Sequence, residues 1–251
     1  MSNLVKLDHF SGSVLVARGG RVVLSKGYGL ANLELSAPNT PDTKFRIGSI
    51  TKQFTTMAIL ILQERGKLIK GDSICRYVDL CPAAWEPITI HELLTHTSGI
   101  PSFTDFPDND DFERKPMTLL STIDRFKNLP LEFKPGEKFN YSDSGYTLLA
   151  YVIEKVASLS YEIFLNQSIY QPLHMMDSGY DHPRTIMKQR AAGYLREGDT
   201  VINNSHYFEM DTPSGAGSQY STPGSTSLMT AESSPWPGKE TAFAWKGRKL
   251  R

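Results

Sequence analysis

Ser49 and Lys52 stand three residues apart in Ser49-Ile50-Thr51-Lys52, and the first legible chemistry in this chain lies in that spacing. On a helix, residues three apart are neighbours, so a serine hydroxyl and a lysine amine can meet there. A serine becomes a nucleophile only with a base beside it, and a buried lysine that has shed its proton can be that base. A helix N-terminus at the serine also favours the negative charge that develops during attack. The plainer reading of the tetrapeptide is a capping serine followed by a solvated lysine. Tyr141-Ser142-Asp143 offers a second candidate, because a phenol in a loop just ahead of a helix can point into a cleft. Beside a lysine cation a phenolate costs less, so Tyr141 can act as a general base. An aromatic packing residue is its plainer reading.

Other constellations exclude themselves. His91-Glu92 and His96 suggest zinc, but five residues turn a helix by about 500°, leaving the two imidazoles about 140° apart. Zinc proteases place both histidines on one face by a four-residue step, so these read as structural histidines and no metal is expected. The chain has no G-x-S-x-G and no phosphate-cradling or dinucleotide-binding glycine pattern. The acidic, proline-punctuated stretch 105–115 lacks a Ca²⁺ ligand spacing and reads as a solvated loop. Cys75 and Cys81 either close a small disulfide or remain two thiols.

Something must hold the two candidates together. Residues 45–66 read as one helix, opened by Ser49 and stopped at Arg65-Gly66, with an unbroken apolar run from Met57 to Leu62. A helix apolar all round belongs in a core. Gly12 to Lys26 reads as a hairpin turning at Gly19-Gly20. Thr89 is placed to cap a short helix running to Leu94, and helical periodicity returns over 117–129 and 161–170. Residues 144–158 carry Leu148, Leu149, Val152, Ile153 and Val156 on one face. From Pro213 the composition turns to Ser, Thr, Gly and Pro without a period, and this end reads as a tail.

The 251 residues suffice for one large domain or two intimate ones, with 39% hydrophobic content for a core. Lys+Arg and Asp+Glu both number 27, so nothing draws the chain toward nucleic acid or an anionic membrane. No run of apolar residues is long enough for a membrane span. The N-terminal stretch has no apolar core of a signal peptide as given.

Ser49-Ile50-Thr51-Lys52, then LLTHTSGIPSF, then PGEKFNYSDSGYTLLAYVIE, in that order, resemble the serine β-lactamase-related family over about 12–222. That family includes class C β-lactamases, D,D-carboxypeptidases and family VIII-type esterases. The resemblance implies an α/β fold of the β-lactamase/transpeptidase type, an antiparallel sheet against a mostly helical region over about 68–173. It implies that Ser49 is acylated, that Lys52 keeps Tyr141 or Ser49 deprotonated, and that Tyr141 shuttles the proton to the leaving group. Asp143 stands where many members have Asn, as a group for the lysine and the substrate amide. When ionised it cannot donate a hydrogen bond, which argues against efficient β-lactam hydrolysis. The resemblance further implies a small-molecule ester, amide or peptide substrate, no cofactor, and a periplasmic or secreted setting. The family's third motif, Lys or His and then Gly on a late edge strand, has no match after Tyr141. The expectation is therefore an incomplete hydrolase domain over 1–222 lacking late strands, followed by an aperiodic tail over 223–251. The alternatives are a catalytically incomplete fragment or a penicillin-binding pseudo-enzyme.

Overall fold

A computed structural model describes residues 10–198, 200–203, 209–233 and 241–244. Strands β1 (Gly12–Arg18) and β2 (Arg21–Tyr28) form the expected hairpin. Gly19 and Gly20 take φ of +56° and +75°, the left-handed pair that a tight two-residue turn needs. Two small antiparallel pairs follow, β3 (Leu30–Asn32) with β4 (Ala37–Pro38), and, later in the chain, β7 (Tyr194–Glu197) with β8 (Thr200–Asn203). A three-stranded antiparallel sheet sets β9 (Gln219–Ser221) between β5 (Phe45–Arg46) and β6 (Gly179–Tyr180). Strand β10 (Thr241–Ala244) pairs with β1 on the side away from β2.

The helices are α1 (Thr51–Glu64), α2 (Ile90–Leu94), α3 (Asn109–Phe112), α4 (Leu119–Asp124), α5 (Asp143–Ala157), α6 (Tyr161–Leu165), α7 (Ser214–Gly217) and α8 (Pro223–Ser233). Helix α6 continues into a π-helical turn, Asn166–Tyr170. Thr89 caps α2 as expected, in a reciprocal capping box with Glu92. Ser142 caps α5 by accepting from the Gly145 N–H. The main apolar cluster is built from the helical region, with Phe54, Ile59, Trp85, Phe126, Leu149 and Phe164 at its centre. Val14 and Leu15 of β1 are buried outside it.

Several expectations need correction. The helix of Ser49 begins at Thr51, not Phe45: Phe45–Arg46 is drawn into the sheet by β9, and Gly48–Ile50 is a 3₁₀ turn. Helix α1 is not apolar all round. Leu60 is exposed, while the buried side is Thr51, Lys52, Phe54, Thr55, Ala58, Ile59 and Leu62, three of them polar. Stretch 105–115 is not merely a loop, since α3 anchors it through buried Phe112, packed edge-on against Phe103. The Ser/Gly-rich stretch 213–222 is core rather than tail. Ser214, Gly215, Ala216, Ser218, Gln219, Ser221 and Thr222 are all buried. Small residues stand there because the packing is close: a Cβ on Gly215 would lie 2.6 Å from the Tyr146 carbonyl oxygen and 2.9 Å from the Ala150 Cβ. Within 223–251, read as aperiodic, lie α8 and β10. Cys75 and Cys81 are joined as a disulfide.

Candidate functional site

Two stretches of chain template each other to deliver Tyr141. The loop after α2 and residues 132–140 run side by side, with Glu132 N–H donating to Gly99 O, Gly136 N–H to Thr97 O, and Asn140 N–H to His96 O. Gly99 has φ of +77°, and a Cβ on it would lie 2.2 Å from the Phe133 carbonyl oxygen, so only glycine lets the stretches close. From this ledge Tyr141 reaches the 3₁₀ turn that carries Ser49.

The structure brings the four sequence-predicted residues together. The Tyr141 hydroxyl donates to Ser49 Oγ at 2.8 Å. Lys52 Nζ lies 2.5 Å from Asp143 Oδ1, 3.0 Å from the Ala216 carbonyl oxygen and 3.5 Å from Ser49 Oγ. An ammonium has three donors and no acceptor, and three oxygens surround Nζ here. The same nitrogen sits 4.7 Å from the Tyr141 ring centre and 5.4 Å from that of Tyr146, within cation–π range. Lys52 is 7% exposed, while Tyr141 is 40% exposed, so the charge is buried and the phenol faces the open side.

Sequence reasoning missed the outer supports. Asp143 Oδ2 accepts from the Thr104 hydroxyl at 3.1 Å, and the Asp143 N–H donates to Ser102 Oγ at 3.0 Å. Ser144 Oγ accepts from the Phe103 N–H and donates to the Pro101 carbonyl, stitching the 101–104 stretch to the first turn of α5. The Ala216 carbonyl had no signal in the sequence, because a backbone oxygen carries no residue type. His96, read as structural, stacks on Tyr141 with ring centres 4.5 Å apart, and its Nδ1 accepts from the Ser142 N–H at 3.1 Å. Burial first, then the Lys52 cation, pushes the His96 pKa below the usual histidine value. Burial, Asp143 and Glu132 push that of nearby Asp105 upward.

A separate cleft of about 500 Å³ is lined by Lys44, Tyr170, Tyr180, His182 and Tyr220 among others, and by none of the four. That cleft is separate from the oxygen–oxygen and nitrogen–oxygen contacts gathered around Ser49. Among the described residues no group of His, Cys, Asp or Glu is arranged to hold a metal ion, and no helix is long and apolar enough to cross a membrane.

Residues 3–231 match the family described as Beta-lactamase. Protein flp of Staphylococcus aureus (strain NCTC 8325) is 35% identical over 207 residues, covering 80% of this chain and 41% of its own. The chain thus spans about two fifths of the length of that curated relative. Among solved structures, a penicillin-binding protein from Bacillus halodurans superposes with a TM-score of 0.79 at 29% identity, covering 91% of this chain and 71% of that one. D-amino acid amidase from Ochrobactrum anthropi SV3, complexed with L-phenylalanine amide, gives a TM-score of 0.75 at 25% identity over 86% of this chain and 63% of that one.

Proposed function

The chain belongs to the β-lactamase family, and from that premise we propose that it is a serine hydrolase that cleaves an ester or amide through an acyl-enzyme on Ser49. The observation that carries this reading is the 2.8 Å contact between the Tyr141 hydroxyl and Ser49 Oγ, beside Lys52. Ser49 Oγ attacks the carbonyl carbon of the substrate, and its proton passes to the oxygen of Tyr141 acting as phenolate. Lys52 stabilises that phenolate by its charge, its Nζ set among the oxygens of Asp143, Ala216 and Ser49. Collapse of the tetrahedral intermediate expels the alcohol or amine, which leaves with the proton from Tyr141. Water then attacks the acyl-serine by the same relay in reverse and frees the acid. The Ser49 backbone N–H supplies one donor to the developing oxyanion. Asp143 orients Lys52 and turns its remaining lone pairs to a substrate N–H, which suits amides and peptides better than a role as donor. The hydrolase domain is proposed to run through residue 222, with α8 and β10 added after it and β10 paired to β1.

Similarity to a D-amino acid amidase supports the amide half of this reading. Similarity to a penicillin-binding protein supports a second one, a protein that acylates once and holds the adduct. The experiment is the intact mass of the chain after a fluorophosphonate, with Ser49→Ala alongside. A single adduct that maps to Ser49 and is lost in the variant supports acyl transfer, and no adduct on folded chain rejects it. Penicillin then separates the two readings: an adduct lasting hours favours the holder, and rapid return of the free mass favours the hydrolase.

A further inference from the structure

His96 is the one non-glycine residue of the 95–101 loop with a left-handed backbone, at φ +58°. Such a conformation persists when its surroundings require it. Here they do, because His96 touches three consecutive residues around the phenol. Its carbonyl oxygen accepts from the Asn140 N–H at 2.9 Å, its ring lies on the Tyr141 ring, and its Nδ1 accepts from the Ser142 N–H at 3.1 Å. On the edge of the same ring stands Phe139, with centres 5.8 Å apart. We propose that His96 is the positioning residue of Tyr141, a clip on residues 140 to 142 that holds the phenol against Ser49. This deepens, and rests on, the reading of Tyr141 as proton relay.

The clip has a chemical condition. A backbone N–H can donate to Nδ1 only while that nitrogen is unprotonated. The titratable and charged groups facing His96 are Lys52 from α1, Asp143 and Tyr146 from α5, and Tyr141 beside it. Burial and then Lys52 disfavour the imidazolium and outweigh Asp143 and the Ser142 backbone, which favour it, so the neutral ring persists below the ordinary histidine range. As pH falls further, Nδ1 takes a proton, the Ser142 contact is lost, and the relay loosens.

Two substitutions separate the acceptor from the ring. H96N keeps a short polar side chain whose Oδ1 can take the place of Nδ1, tolerates the left-handed backbone, and does not titrate. H96F keeps a ring over Tyr141 but has no acceptor. Ser49 labelling by a fluorophosphonate is followed from about pH 5 to about pH 9, with the Ser142 amide and Tyr141 ring NMR signals alongside. At about pH 8, H96N is expected within about fivefold of wild type and H96F roughly 10²-fold slower, the scale of a misplaced relay. The acidic fall of the wild type, about tenfold per unit below the His96 midpoint, disappears in H96N. The proposal is overturned if folded H96F labels at the wild-type rate or if H96N keeps the wild-type pH profile. Should the wild type not label at Ser49, the proposed function falls while the clip is still judged by NMR. In that case the Ser142 and Tyr141 signals must follow His96 titration in the wild type and cease to do so in H96N; signals indifferent to His96 reject it.

Discussion

Helix α1 meets two polar clusters that share the 215–219 segment yet differ in charge and solvent. On one side Lys52, Asp143, Tyr141 and Ser49 form a charged group with an exposed rim, closed by the Ala216 carbonyl. On the other, one turn along, Thr55 donates to the Gly215 carbonyl at 2.6 Å. Having spent its one hydrogen, Thr55 Oγ1 must accept from the Tyr161 hydroxyl, 2.6 Å away. Tyr161 in turn accepts from Gln219 Nε2 at 3.1 Å, and Gln219 Oε1 accepts from the Tyr170 hydroxyl at 2.5 Å. That is a one-way chain of neutral donors, sealed from water, with Tyr161 and Tyr170 pushed upward in pKa by burial. A fully satisfied buried network rigidifies, whereas a charged and partly open one is available for reaction. On the proposed function, the two clusters divide holding from reacting along a single helix.

Four changes test that division, in order of expected effect. Ser49→Ala should lower turnover by roughly 10⁵-fold or more while leaving the denaturation midpoint in place, since the serine is on the reacting side. Tyr141→Phe should cost about 10²–10⁴ in acylation rate for the loss of general acid–base transfer, read by the same labelling assay. Its urea midpoint should stay within experimental error, and a large drop would mean that the front cluster also holds the fold. Gln219→Leu strands the Tyr170 hydroxyl, while that of Tyr161 keeps its bond to Thr55, and should destabilise by about 1–3 kcal/mol, measured by urea unfolding. The folded fraction should keep its labelling rate to within an order of magnitude; strong loss of labelling at unchanged stability would erase the distinction.

The smallest effect concerns alkaline pH. Tyr161, Tyr170 and Tyr180 all have folded pKa values raised by burial. Their neutral forms therefore stabilise the fold fully below the unfolded tyrosine value near 10, and that stability is lost as pH climbs from there toward the folded values. Unfolding free energy should fall by about 1.4 kcal/mol per pH unit for each such tyrosine above about pH 10, and Tyr161→Phe should make the slope shallower.

Much of the reacting cluster could be read in the sequence because it is made of side chains at short, fixed spacing. Ser49 and Lys52 sit one turn apart, and Tyr141 precedes the periodic helix that Ser142 caps. The hairpin was legible for the same reason, two glycines in a turn that needs left-handed φ twice. The holding cluster was not. Its partners are 49 to 160 residues apart in the chain, and one of its acceptors is a backbone carbonyl. The low-complexity look of 213–222 misled for a physical reason, because small residues serve solvated tails and tight helix contacts alike. The start of α1 was placed early because periodicity does not report that β9 competes for residues 45 and 46.

The carbonyls of Gly215 and Ala216 lie 160 and 164 residues after the α1 side chains that need them. Synthesis at about 5–20 residues per second separates the two ends by roughly ten to thirty seconds. Through that interval the polar stripe of α1 waits on the ribosome without its acceptors, and burying it early would strand a cation and a hydroxyl. The order of translation thus leaves the helix of Ser49 and Lys52 unlocked until residues 215 and 216 have been made.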